Sequence, residues 1–316
     1  MESMLLEAKS VILDVAAPVL LMVAMGGFLR RIRLINDDFI LVSSRFVFKV
    51  CMPTLLFLGL YSNNLSGLIR VNFALYFVFS IFLTFLLAWF LAIRISLPSA
   101  QRGVFVQIAF RGNCGVFSLA LAVNMFGQEG VAIGGVMSGL SVLLFNILAE
   151  IILTRYSDGA LRIRSMLKNM AQNPLILAII LGVLANLCAL HLPVFIVKTG
   201  SLIGGVTLPL ALVCIGGALA TSGLRLPRFF SFAILSKVLI SPFLFTFIAF
   251  WLGFTQKELL YLFLFLSAPT AASAYVSAVS KGDDGRSTAN AIASSTLISS
   301  VIIVICVPII VRLTSS

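Results

Sequence analysis

Two short stretches of the sequence combine helix-breaking residues with polar groups suited to anion binding. In Arg111-Gly112-Asn113-Cys114-Gly115, two glycines and an asparagine, all poor helix formers, fall near the middle of an apolar run. In Ala268-Pro269-Thr270, a proline that removes a backbone donor falls within another apolar run. The N-terminal end of a helix segment carries partial positive charge and unpaired N–H groups, which favour a carboxylate or phosphate. The two stretches therefore predict a site for a small anion.

The composition indicates that these stretches lie in a membrane. Hydrophobic residues make up 60% of the chain, charged residues 10%, and the mean hydropathy is +1.14. So little polar surface excludes a water-soluble enzyme. The net charge is +11, but the basic residues are spread through loops rather than gathered on one face, so a nucleic-acid partner is not expected.

Ten apolar runs are long enough to cross a membrane, since a span takes about 20 helical residues. The sequence therefore predicts an all-α polytopic membrane protein that contacts the lipid bilayer along most of its length. The first run has no small-residue cleavage site after a short apolar core, so we interpret it as a retained helix. The predicted spans lie near residues 10–30, 39–60, 70–93, 102–126, 129–154, 171–190, 194–221, 228–252, 257–280 and 285–312.

The distribution of Lys and Arg predicts the orientation in the membrane. Counted in alternate loops between the spans, thirteen basic residues fall on one side and five on the other. Basic loops stay in the cytoplasm. We therefore expect a multi-pass protein of the inner (cytoplasmic) cell membrane with both termini outside.

An internal repeat relates the two halves. Pro18 and Pro53 recur as Pro174 and Pro209, because 174 − 18 and 209 − 53 both equal 156. Each half holds five predicted spans, and an odd number makes the second copy enter the membrane from the opposite side. The sequence thus predicts two inverted five-helix repeats, 1–155 and 171–316, joined by a cytoplasmic linker at 156–170. Helix-breaking residues at matching places in such repeats are typical of secondary transporters.

Polar side chains inside the spans are candidates for the site. A charge within a membrane is costly and usually faces a cavity or a partner. Arg111 adjoins the first break. Its expected role is either to bind substrate or gate its passage, or to pair with a carbonyl freed by the unwound turn. Asn146, in the fifth span, is costly to leave facing lipid. Arg45, Lys49 and Lys237 line a cavity or snorkel to the headgroups.

The chain lacks the residue sets of other chemistries. Its five cysteines fall within or at the ends of spans without metal-ligand spacing, and its one histidine, His191, lies in a loop. We therefore predict no metal, no cofactor and no enzyme activity.

Five motifs resemble the auxin efflux carrier family. They are Cys51-Met52-Pro53-Thr54, Gly112-Asn113-Cys114-Gly115, Asn173-Pro174-Leu175-Ile176-Leu177, Leu208-Pro209-Leu210-Ala211-Leu212 and Ala268-Pro269-Thr270-Ala271. The resemblance covers nearly the whole chain. It implies ten helices in two inverted repeats, a crossover of the broken fourth and ninth helices that holds the substrate, and transport of organic anions. The short linker is typical of a bacterial-type member rather than a plant carrier.

These inferences combine into one functional expectation. We expect a carrier for a small organic anion, a mono- or dicarboxylate, that works by alternating access. A cation/proton antiporter and a sodium-coupled anion symporter of related crossover fold are the alternatives. Protons as the coupling ion and assembly as a homodimer are left open. The predicted substrate-binding residues are Arg111, Gly112, Asn113, Cys114, Gly115, Ala268, Pro269, Thr270, Pro53, Pro209 and Asn146.

Overall fold

The protein is helical throughout the part that the structure describes. The computed structural model describes residues 17–62, 69–95, 97–156, 168, 171–220, 228–271, 273–275 and 286–314. Within these ranges no strand occurs apart from one isolated backbone bridge, so the all-α prediction is confirmed. Most of the predicted linker 156–170 lies outside the described residues, and the division into domains stays a prediction.

Thirteen α-helices and three π-helical segments make up the described fold. In chain order they are α1 (Ala17–Arg31), α2 (Asp37–Phe46), the π-helical segment Val47–Cys51, α3 (Met52–Ser62), α4 (Val71–Arg94), α5 (Ser99–Phe110), the π-helical segment Cys114–Ser118, α6 (Leu119–Arg155), α7 (Pro174–Leu187), α8 (Val194–Gly205), α9 (Thr207–Leu219), α10 (Arg228–Leu235), the π-helical segment Ser236–Ile240, α11 (Ser241–Trp251), α12 (Gln256–Leu266) and α13 (Arg286–Thr314).

Six of the described helical stretches are long and apolar enough to cross a membrane. They are Asp37–Ser62, Val71–Arg94, Cys114–Arg155, Val194–Ala218, Arg228–Trp251 and Ser287–Thr314, and Pro174–Leu187 is a shorter apolar helix. A polytopic membrane protein is therefore confirmed. The arrangement of ten spans in two inverted repeats stays a prediction.

Helix α6 folds back on itself at Gly127. Its 37 residues would extend about 55 Å, well beyond a hydrocarbon core of about 30 Å. Gly127 has φ 57° and ψ −129°, outside the helical region, a conformation that glycine adopts without steric cost. A Cβ at Gly130 would overlap the carbonyl oxygen of Ala122, so the two segments lie side by side. The reversal falls between the predicted spans 102–126 and 129–154.

The helices form two bundles. The first bundle contains α1, α2, α3, α7, α8 and α9, and the second contains the remaining helices. Glycines bring helices of the first bundle close together: a Cβ at Gly26 of α1 would overlap the carbonyl oxygen of Val213 in α9. Helix α2 buries no residue and α8 buries only Gly204, so most side chains of these two helices face the outside of the bundle.

The second bundle holds the larger core, which is rich in phenylalanine. Phe110 lies edge-on to Phe85 and to Phe145, with ring centroids 5.1 Å and 5.7 Å away. A smaller cluster of Met52, Leu56, Leu119 and Leu175, which we call the seam, joins the two bundles. The bundles approach closely at the seam, since a Cβ at Gly135 of α6 would lie 2.8 Å from Leu56 Cδ2 of α3, and the aromatic core surrounds the two predicted breaks.

Candidate functional site

The two predicted helix breaks lie against each other in the second bundle. Helix α5 ends at Phe110 and α12 ends at Leu266. Between the breaks, Gly112 and Thr270 form the isolated antiparallel bridge. The backbone N–H of Asn113 donates to the Pro269 carbonyl at 2.7 Å, and the backbone N–H of Ala271 donates to the Arg111 carbonyl at 3.0 Å. Each break thus satisfies backbone groups that the other leaves unpaired, as irregular backbone at membrane depth requires.

Side chains from neighbouring helices fix this pairing. The Thr270 hydroxyl donates to the Ile108 carbonyl at 3.2 Å, and the Thr270 amide donates to Ser295 Oγ at 3.0 Å. The Gln107 amide donates to the Ala274 carbonyl at 3.0 Å. The pairing is therefore held from α5, from α13 and from the chain beyond the second break.

The C-terminal end of α12 presents four successive carbonyls, Leu264–Ser267, to side-chain donors. Ser118 Oγ donates to Leu264 at 2.7 Å, Cys114 Sγ to Phe265 at 3.3 Å, Lys237 Nζ to Leu266 at 3.0 Å, and Ser299 Oγ to Ser267. The end of a helix carries partial negative charge at its free carbonyls. We call this group of four carbonyls the carbonyl cluster.

Arg111 is buried beside the first break. The residue is only 5% exposed. Its Nη1 donates to Gln107 Oε1 and its Nη2 donates to Asn146 Oδ1, both at 2.8 Å. Both of these acceptors are uncharged amides. Arg111 therefore connects the first break to Asn146 of the predicted fifth span.

Asn113 differs from its neighbours because its side chain is not engaged. Its backbone, at φ −81° and ψ 51°, starts the π-helical segment Cys114–Ser118, and its side chain makes no capping hydrogen bond. Among the described residues no hydrogen bond uses the Asn113 side-chain amide, and the residue is half-buried. It therefore offers one donor group and one acceptor group at the junction of the two breaks.

Most of the predicted site residues come together and two do not. The paired breaks contain Arg111, Gly112, Asn113, Cys114, Ala268, Pro269 and Thr270. Asn146 joins them through Arg111, and Gly115 directly follows Cys114 in the π-helical segment. Pro53 follows the π-helical segment Val47–Cys51 in the first bundle, and Pro209 is exposed on α9. None of the described hydrogen bonds joins either proline to the breaks.

Gln107 had no predicted site role, and Lys237 was predicted either to line a cavity or to snorkel to the headgroups. Gln107 contacts both Arg111 and the chain after the second break, and its position four residues before Arg111 on one helix face was the available signal. Lys237 is 2% exposed and does not reach the surface. Arg45 and Lys49 are exposed, which agrees with snorkelling.

A separate pocket lies away from the breaks. It has a volume of about 290 Å³ and is lined by residues of α3, α7 and the following loop, including Tyr61, Asn186 and His191. Tyr61 and Asn186 are already joined, because the Asn186 amide donates to the Tyr61 carbonyl at 2.8 Å. The pocket holds neither a buried cation nor a helix break.

Comparison with known proteins agrees with the membrane fold. The family model described as membrane transport protein matches residues 11–307. An uncharacterized transporter of Methanocaldococcus jannaschii is 26% identical over 243 residues, which cover 73% of this chain and 76% of that protein. Both helix breaks and all the motifs described above fall within the residues that the family model matches. The chain therefore belongs to the membrane transport protein family, the auxin efflux carrier family that its motifs resemble.

Proposed function

We propose that the protein is a secondary active carrier that moves a small organic anion, a mono- or dicarboxylate, across the cell membrane. The observation that carries the proposal is the unengaged side-chain amide of Asn113, two residues along the chain from the buried Arg111, where the two helix breaks pair. A buried cation with amide partners favours an anion nearby, because a negative charge offsets the cost of burying it.

Each residue of the site has a distinct role in this proposal. The side-chain amide of Asn113 donates to a carboxylate oxygen of the substrate. The N-terminal turn that starts at Cys114 has no side-chain cap, so its first N–H groups and the partial positive charge of the helix end also favour the anion. Arg111 supplies the positive charge, and Gln107 and Asn146 fix the orientation of its guanidinium.

The proposal includes the inverted repeat of ten spans, with both termini outside. Two matched glycine contacts support it. Gly26 packs against the carbonyl of Val213, and Gly182 packs against the carbonyl of Phe57, where a Cβ would lie 2.8 Å from the oxygen. Gly26 corresponds to Gly182 and Phe57 corresponds to Val213 at the repeat offset, because 182 − 26 and 213 − 57 both equal 156. A duplicated fold explains why the same close approach recurs.

Alternating access would use the two bundles as the moving parts. Close helix packing and dense aromatic packing make each bundle rigid, whereas the seam of Met52, Leu56, Leu119 and Leu175 is small and apolar. Hydrophobic association is non-directional, so an apolar contact can re-form after the bundles shift. We therefore propose that one bundle rocks against the other at the seam and exposes the paired breaks to each side in turn.

Uptake into proteoliposomes tests the proposal. Purified protein is reconstituted and offered a panel of radiolabelled mono- and dicarboxylates, with the pH gradient and the membrane potential clamped separately. We expect uptake of at least one carboxylate above protein-free vesicles. Uptake that requires a sodium gradient would favour the symporter, and cation exchange without carboxylate uptake would favour the antiporter.

A further inference from the structure

Lys237 is a buried cation that the proposed site does not use. It lies in the π-helical segment Ser236–Ile240 between α10 and α11, and it is 2% exposed. A lysine has a long flexible stem that normally carries the ammonium out to the headgroups. Here the stem points into the second bundle instead. Burying a charge at membrane depth is costly, so its surroundings must stabilise it.

The surroundings of the ammonium are the two breaks themselves. Nζ donates to the Leu266 carbonyl at 3.0 Å and lies 6.0 Å from the centre of the Phe145 ring. A Cβ at Gly112 would lie 3.0 Å from Nζ, so the absence of a side chain there makes room for the ammonium. None of the ion pairs within the described ranges includes Lys237. The stabilising groups are therefore a helix-end carbonyl and an aromatic face.

The location has a recognised use in other carriers. Where transport helices are discontinuous, freed carbonyls and the C-terminal ends of half-helices coordinate the coupling cation. The carbonyl cluster of this protein, Leu264–Ser267, is a site of that kind, at the end of α12 and beside the first break. Its positive charge is supplied by a side chain of the protein.

We propose that Lys237 is a tethered cation that replaces a dissociable coupling cation at the carbonyl cluster, so that the carrier transports its anion without sodium or another metal ion. The proposal rests on the proposed function for its transport consequence only. The occupation of the carbonyl cluster by a required positive charge is a property of the protein that is measurable without a substrate.

The test compares Lys237→Ala with Lys49→Ala, a matched control that removes an exposed lysine from another helix of the membrane domain. Thermal unfolding of the purified proteins is measured in choline, sodium and methylammonium chloride at equal ionic strength. We expect the parent and Lys49→Ala to unfold at the same temperature in all three salts. Lys237→Ala should unfold at a lower temperature in choline, and methylammonium or sodium should restore at least half of the loss.

A neutral side chain of similar length separates charge from packing. Lys237→Met keeps the stem and removes the ammonium, so we expect the same instability in choline as for Lys237→Ala. If Lys237→Met is as stable as the parent, the charge is not required and the proposal is wrong. If Lys237→Ala does not assemble, Lys237→Met is tested in the same salts, and an absence of any cation effect on it likewise overturns the proposal.

Flux measurements complete the test once a transported carboxylate is known. We expect parent flux to be equal in sodium and choline, and Lys237→Ala flux to be roughly tenfold lower in choline and to rise with methylammonium. Parent flux that depends on sodium would overturn the proposal while leaving the anion carrier intact. If the protein transports no carboxylate but shows the expected unfolding pattern, the tethered-cation proposal is supported and the proposed function is wrong.

Discussion

The two helix breaks share a backbone arrangement and differ in their side chains. The first break is made by Gly112 and Asn113, and it carries an unengaged amide next to a buried arginine. The second is made by Pro269, its neighbour Ala268 is apolar, and the hydroxyl of Thr270 is already bonded to the Ile108 carbonyl. In the proposed carrier, the first break thus supplies the side-chain chemistry for the anion. The second supplies carbonyls and a rigid frame.

In the proposed carrier, this difference divides the work between the two breaks. Backbone pairing needs both breaks, because each satisfies the other's freed groups. Substrate chemistry needs only one of them to keep polar side chains. Substitutions in the first break should therefore change transport more than equivalent substitutions in the second, and the following predictions test that expectation in order of decreasing effect.

Asn113→Leu should reduce carboxylate uptake to the level of protein-free vesicles. The substitution removes the donor at the junction of the breaks and places an apolar group where the anion would bind, and a buried polar partner left unpaired is costly. The control is Asn72→Leu, the same change at an exposed position of α4. Uptake by Asn113→Leu equal to that of the control would remove the paired breaks as the substrate site.

Arg111→Ala should weaken the apparent affinity for the anion by roughly tenfold to a hundredfold. The guanidinium is the nearest positive charge to Asn113 along the chain, and its loss leaves Gln107 and Asn146 to hydrogen-bond each other or water. Concentration-dependent uptake measures the effect, with Lys49→Ala as a control for a lost membrane cation. An unchanged affinity in Arg111→Ala would mean that the arginine has a structural role only.

Gly112→Ala should destabilise the protein by about 1–3 kcal/mol. A Cβ there would meet three atoms at once, Lys237 Nζ at 3.0 Å, Ala268 Cβ at 3.1 Å and Cys114 Sγ at 3.2 Å. Gly115→Ala is the matched control, because its nearest neighbour, Leu175 Cδ1, would lie 3.6 Å away in ordinary contact. Thermal unfolding should separate the two variants, and equal stability would show that the breaks are less tightly paired than the structure indicates.

Pro269→Ala should have the smallest effect, a reduction of uptake by less than roughly fivefold with little change in affinity. The backbone carbonyl of residue 269 still accepts from the backbone N–H of Asn113. The Thr270 contacts to Ile108 and Ser295 also remain and keep the break in place. The same uptake assay measures it. A loss as complete as that expected for Asn113→Leu would show that the second break contributes more than a frame.

Local sequence features were sufficient to predict the breaks and most helices. Glycine and asparagine in one apolar run and proline in another interrupt helices for reasons that belong to the residues themselves, and the structure places both interruptions there. The reversal at Gly127 also falls between two predicted spans. Composition was sufficient to predict a membrane protein, and the length of the apolar runs was sufficient to predict the all-α class.

The direction of side chains could not be predicted in the same way. Hydropathy places Lys237 within a span, but whether its stem turns outward or inward depends on the space left by Gly112 and on the Leu266 carbonyl, both far away in sequence. The same limit applies to Pro53 and Pro209. Their motifs predicted helix positions, whereas the bundle to which each helix belongs is decided by long-range packing.

The central claim is that the two paired breaks hold an anion between them. A cryo-electron microscopy map of the protein in lipid nanodiscs, with a transported carboxylate present, tests it most directly. The account predicts density for the anion within hydrogen-bonding distance of the Asn113 side chain, with α5 and α12 interrupted at Arg111 and Ser267. Density for the anion only in the pocket beside Tyr61 and His191, or helices that run unbroken through both positions, would contradict it.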